Sequence, residues 1–239
     1  PQIGEPISQL ILDPRQLWLY VLNGDSNADV FDLRKRSLNG RYQLLKDASN
    51  RVTSATSLLG GISIMIGDAK GGIQQWFMVR DKDGKSTFQS IRSFQLGSSA
   101  VTQILPEERR KGFMALDESG LLGIFHSTAH RTLLKEQVAD GKAAAALSPR
   151  ATRVLVESDG KLQRFVVDNP HPEISWSSLW GKVWYESYPE PDYVWQSTSA
   201  NTDFEAKLSL SPLAFGTLKA AFYAMLLAAP LVLMREWLL

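Results

Sequence analysis

The chain has 239 residues, 26 of them basic and 25 acidic, which leaves a formal charge of +1. So even a balance gives no electrostatic case for nucleic acid as a partner. With no cysteine, disulfide frameworks and thiolate metal sites are excluded, and the composition fits any compartment, a periplasm included. The length is enough to bury a sizeable core, as one large domain or two small ones. Pro1 stands first, and no basic-then-apolar leader precedes the domain. The expectation is a fragment of a longer protein, or a processed chain.

From Leu10 to Val167 short apolar runs alternate with Gly, Asp, Asn and Ser, the pattern of many antiparallel strands. Four segments share a strand–turn–strand shape and start at Tyr20, Ile64, Met114 and Val154. Their polar turns fall at Asn23–Ala28, Lys70–Gly72, Asp117–Gly120 and Ser158–Gly160, where Asp and Gly tolerate a positive φ. Asp25 to Asp68 is 43 residues, Asp68 to Asp117 is 49, and Asp117 to Asp159 is 42. A period in the forties with four strands per unit predicts about four blades of a β-propeller, WD-repeat-like but without the WD and GH words. A β-sandwich is the rival architecture. The segments SATSLLG near Ser54, STFQSIRSFQL from Ser86 and TLLKEQV from Thr132 are read as outer blade strands. Blades missing from a ring would leave open strand edges, through which copies of the chain would pair.

Within this β region the candidate chemical sites are each incomplete. His126 and His130 have an H-x3-H spacing, but no acidic residue follows to complete a metal set, so they read as surface-loop histidines. Asp25, Asn27 and Asp29 imitate the first ligands of a calcium loop, which then needs Gly at Val30 and Glu at Arg36. Gly67 and Gly72 have P-loop spacing with Ile73 in the lysine position. No G-x-S-x-G elbow is present. The mixed-charge run Glu107 to Lys111 reads as a solvated turn. The chain is therefore read as non-enzymatic, with no cofactor and no metal.

At Asn169-Pro170-His171-Pro172 the two prolines end the last strand. A helix is expected over Glu173–Glu186, with Trp176, Leu179, Trp180, Val183 and Trp184 on one face and Ser177, Ser178, Lys182 and Glu186 on the other. Indole combines an apolar body with one N–H, so Trp176, Trp180 and Trp184 are candidates for a membrane interface with lipid; packing on the side of the propeller is the alternative. Residues Tyr188 to Asp203 read as an extended linker. Pro212 to Met234 then holds 23 residues with one ionisable side chain, Lys219. As a helix it would extend roughly 34 Å, enough for about 30 Å of hydrocarbon. Lys219 is the intramembrane charge candidate, either functional or snorkelling to the interface. Pro230 would kink the helix. The resulting division is 1–168 propeller-like, 169–206 amphipathic elbow and linker, and 207–239 a truncated first core transmembrane helix.

The run KLSLSPLAFGTLKAAFYAMLLAAPL (Lys207 to Leu231), with the approach YESYPEPDYVWQSTSANTDFEAK, resembles the first core helix of phosphate ABC transporter permeases of the PstC type in their large bacterial form. After Leu231 the chain reads VLMREWLL and the likeness ends. The resemblance implies a domain on the periplasmic side of the bacterial inner membrane. It also implies a sister permease subunit, a cytoplasmic ATPase subunit and a periplasmic phosphate-binding protein as partners. On that basis the propeller would dock or sense, while translocation belongs to the membrane core. The other reading is a membrane-anchored propeller scaffold of the cell envelope unconnected with transport.

Overall fold

The computed structural model describes residues 6–24, 26–47, 49–199 and 204–237, with side chains through Pro230. Strands β1 (Ile7–Leu12), β2 (Trp18–Asn23), β3 (Asn27–Asp32) and β4 (Ser37–Gln43) form one antiparallel sheet in that order. Strands β5 (Val52–Ser57), β6 (Ile64–Asp68), β7 (Gly72–Arg80) and β8 (Ser86–Gln95) form the second. Strands β9 (Val101–Pro106), β10 (Gly112–Asp117), β11 (Leu121–His126) and β12 (Arg131–Gln137) form the third. The fourth has three strands, β13 (Ala144–Leu147), β14 (Arg153–Ser158) and β15 (Lys161–Val166). These are four successive propeller blades, and the sandwich reading is set aside.

The first strands of successive blades lie against one another and are stitched side chain to backbone. Gln9 Nε2 donates to Ala55 O at 3.0 Å, Thr53 Oγ1 to Val101 O at 2.7 Å, and Ala145 N to Gln103 Oε1 at 2.8 Å. SATSLLG near Ser54 is thus β5, the inner strand of its blade, and not an outer one. Between each pair of successive blades lies an apolar core. Phe88 packs on Tyr20, Tyr42 and Trp76 at the first junction, and Phe94, Phe113 and Phe125 meet at the second. Met114, Ile124, Val154 and Val156 fill the third. Alternation shares each inner strand between two cores: Ile64 and Ile66 of β6 face the first junction and Met65 the second, while Phe113 and Ala115 of β10 face the second and Met114 and Leu116 the third. Among the described residues no such core joins the fourth blade to the first, and Leu10, Leu12, Leu162 and Val166 stand exposed on the two end blades.

The hairpin joining second and third strands recurs at one end of every blade. Asp68 Oδ1 accepts from Lys70 N and Gly72 N, and Asp117 Oδ1 from Ser119 N and Leu121 N, so the carboxylate holds the turn. Asp25, used to count the first interval, lies outside the described residues. The position equivalent to Asp68 and Asp117 is Asn23, the last residue of β2, 45 residues before Asp68.

After β15 the chain leaves the propeller. The expected fourteen-residue helix is only α1 (Trp176–Trp180), capped by Ser175 through a capping box and stopped at Gly181 in extended conformation. Tertiary packing overrides the 3.6-residue period: Val183 bridges to Asp192, and Tyr185 and Glu186 are drawn into the propeller. Two short strands, β16 (Trp195–Gln196) and β17 (Lys207–Leu208), pair antiparallel, and α2 (Ser211–Trp237) follows. Its residues Ser211–Pro230 are long and apolar enough to cross a membrane, and they lie outside the packed body.

Candidate functional site: the clamp between propeller and membrane helix

Residues 183–199 and 204–209 are fastened to one end of the second and third blades by a buried polar network. Glu186 is the centre. Its Oε2 accepts from Lys111 Nζ at 2.6 Å and its Oε1 from Ser63 Oγ at 2.6 Å, with the two ion-paired side chains 3% and 4% exposed. Ser63 accepts from Gln75 Nε2 at 2.7 Å, Gln75 Oε1 from Arg92 at 2.9 Å, and Arg92 also donates to the Trp184 carbonyl. Lys111 gives a further hydrogen to Leu59 O at 2.5 Å. Glu205 completes the set: its Oε1 accepts from Thr128 Oγ1 at 2.5 Å and its Oε2 from Glu186 N at 2.8 Å.

Buried ions are costly unless each hydrogen-bonding capacity is met, and here the residues come from seven separate stretches of chain. Such a network fixes position more than it adds stability. Burial, and then the nearby Glu205, push the Glu186 carboxyl above its ordinary range, while Lys111 and Ser63 pull it back. Burial likewise lowers Arg92, against the pull of Glu205 and Glu186.

The anchoring residues lie on one side of the propeller. Leu59 and Ser63 flank the β5–β6 connection, Lys111 ends the β9–β10 connection, and Thr128 and Ala129 sit in the β11–β12 turn. In an up-and-down meander these connections share one end of the blades, and the hairpins at Gly71, Gly120 and Gly160 share the other. The same side holds α1: Ser175 Oγ donates to Ala129 O and Arg131 to Ile174 O. Helix α2 leaves from there, with Leu210 N donating to Leu179 O at 2.7 Å and Ser211 Oγ to Trp180 O at 3.2 Å.

Several sequence expectations change against this geometry. Glu107 and Lys111 are buried, so the run Glu107 to Lys111 is half clamp and not a solvated turn; Glu107 is paired with Arg110 at 2.8 Å. His126 is not a loop histidine. It ends β11, is 3% exposed, and accepts from Ala129 N at 3.2 Å through Nδ1. Burial, then Arg110, Arg92 and Arg131, lowers its pKa to about 3, so it is neutral. His130 lies at the surface with φ 49° and its ring edge-on to Phe94. Among the described residues no three His, Asp or Glu side chains group as a metal set. Asp29 is bound by Arg41 and Asn23 at 2.7 to 2.9 Å.

Of the three tryptophans, Trp176 and Trp180 are exposed on α1, whereas Trp184 lies beyond it, half-buried, with its N–H on Tyr188 O and its ring edge-on to Phe77. Glu186, placed on the polar face of the expected helix, is instead buried and ion-paired with Lys111. Lys219 is exposed on α2 and sits 5.8 Å from the Tyr223 ring centre.

No protein-family description matches the chain, and no curated protein matches it either. Solved structures do. A chain of the mitotic checkpoint complex is similar at 13% identity and TM-score 0.51, covering 70% of this chain and 48% of its own. The Cps50 (Swd1) β-propeller domain of Myceliophteria thermophila gives 10% identity and TM-score 0.55, covering 69% and 52%. The RRP9 WD40 repeats give 12% identity and TM-score 0.51, covering 70% and 52%. The chain spans about half the length of these structures. At such identities the likeness is one of fold, and the fold is a WD40-type β-propeller followed by one helix apolar enough to span a membrane.

Proposed function

We propose that this protein is a non-enzymatic, membrane-anchored β-propeller scaffold of the bacterial cell envelope, which offers one loop face to protein partners. The observation that carries the reading is the clamp. An exposed apolar helix begins directly at a network that buries Lys111, Glu186, Arg92 and Glu205 between propeller and anchor. A loose tether would suffice to hold a domain at a membrane; a buried ionic network orients it. The hairpin face, with Lys70, Ser119 and Asp159, lies at the other end of the blades, free for binding, and propellers commonly present such faces to other proteins.

The test has two parts. The full chain should stay with membranes after an alkaline wash, and the chain ending at Leu210 should not. A photo-crosslinking residue at Ser119 should then trap a discrete envelope partner that the same residue at the clamp-side Arg109 does not. Retention without the helix, or equal trapping at both sites, would defeat the reading.

The finer reading, service to a PstC-type phosphate permease at the bacterial inner membrane with the propeller in the periplasm, is favoured by one coincidence. Within the stretch that carries the resemblance, Lys207 to Leu231, residues Ser211–Pro230 are the exposed apolar helix. If it holds, deleting residues 10–167 from the intact permease leaves part of phosphate uptake in reconstituted vesicles, whereas Lys219→Ala lowers uptake if the charge lies on the path. Complete loss of uptake in an assembled deletion complex would make the propeller part of translocation itself.

A further inference from the structure

We infer that the clamp side of the protein carries an aromatic collar, Trp176, Trp180, Tyr193 and Trp195, that seats in the headgroup zone of a phospholipid bilayer and lays the propeller against the membrane. The inference rests on the membrane-anchored reading and adds to it a surface and an orientation. Four large aromatic side chains are 81%, 46%, 40% and 43% exposed. They come from two segments, one tied to the first residue of α2 and the other to the residues that lead into it. Trp180 O accepts from Ser211, Trp195 is the register partner of Leu208, and Ser209 N donates to Val194 O. The collar therefore rings the point where the apolar helix departs.

Chemistry selects the occupant. Aromatic side chains serve protein interfaces as well, but lysine is depleted there, whereas indole and phenol groups beside lysines are the composition of a membrane–water boundary. Lys182 lies 5.7 Å from the Tyr193 ring centre, and Lys207 lies 5.1 Å from that of Phe204. Each puts a cation at the level where lipid phosphates sit. Continuity with α2 decides the rest: Phe215 and Leu218, also exposed, follow within two turns, so a bilayer that accepts α2 must begin at the collar. Trp184 is excluded, being turned onto Phe77.

The absence of cysteine makes the test clean. Single cysteines at Trp176, Tyr193, Leu226 and, as a control on the hairpin face, Lys161 are labelled with a polarity-sensitive fluorophore in the full chain. The protein is reconstituted into phosphatidylcholine–phosphatidylglycerol vesicles carrying nitroxide on the headgroup or deep in the acyl chain. The expected result is about threefold stronger headgroup quenching at 176 and 193 than at 161, and acyl-chain quenching at 226. Quenching at 226 with 176 and 193 behaving like 161 overturns the collar and leaves the anchor. Headgroup quenching at 176 and 193 without quenching at 226 keeps the collar as a peripheral contact and overturns the anchor. No quenching at any site overturns both. Because 176 and 193 lie on separate segments, misfolding of one variant leaves the other to decide.

Discussion

Lys111 and Glu186 show how much depends on a pair that contributes little net stability. Replacing Lys111 by Met leaves a carboxylate buried without its cation, a change that costs about 3 to 5 kcal/mol. The midpoint of urea unfolding in detergent should fall accordingly, and the double variant Lys111→Met/Glu186→Leu should recover a good part of it. The pH dependence has a definite sign. Glu186 is held above its ordinary range, so the folded state binds its proton more tightly and this group's contribution declines as pH rises through that window. Without Lys111 the window widens upward, and the variant should lose more at pH 8 than at pH 5. His126 acts in the opposite sense: lowered to about 3 from 6.5, it makes stability fall as pH drops below the unfolded value. Between pH 7 and pH 5 that is about 2 kcal/mol, and His126→Asn should remove this slope from a series of unfolding curves.

The hairpins make the same point for elements, since turns that look alike in sequence differ in what lies above them. A Cβ at Gly120 would meet Ala139 O at 2.2 Å, and one at Gly71 would meet Gly97 O at 2.4 Å, because the crossover to the next blade passes there. At Gly160, φ is 73° and nothing lies within 4 Å. Gly160→Ala should cost only the left-handed backbone term, about 1 to 2 kcal/mol, and Gly120→Ala clearly more. Calorimetric melting of the two variants measures the difference. The hairpins, their period and the blade architecture were legible in the sequence because each is a local pattern of strand, Asp or Gly turn, and strand. The length of α1 was not. Its apolar period is real, but Val183 and Tyr185 serve β-like contacts with Asp192 and the propeller that no local rule reveals. Glu186 was misplaced for the same reason, and Lys111 was hidden in a run of charges whose neighbours Glu108 and Arg109 are indeed solvated.

On the scale of the molecule, four blades form an open arc. The last has three strands where the others have four, and its outer edge and far face expose Leu155, Leu162 and Val166. A groove of about 440 Å³, lined by Leu133, Leu134, Val154 and Phe165, runs beside that edge. Unpaired edges with apolar flanks invite association. Leu162→Lys with Val166→Lys should shift the protein toward monomer in detergent sedimentation while leaving its melting temperature within a few degrees. An unchanged size distribution would show that this edge does not drive association.

The clamp joins residues far apart in the chain, Ser63 to Glu186 across 123 positions and Lys111 to Glu186 across 75. Contacts of that span close late, after the local hairpins have condensed, and they are absent from an early transition state. The grip on the anchor should therefore be the last part to be made and the first to let go. Residues 183–199 and 204–209 should exchange their amide hydrogens, or peel away under a pull on the helix, while the blades stay intact. Under load the protein acts as a latch set in a rigid wheel, and Lys111→Met should hasten its release while leaving the rate of blade formation almost untouched.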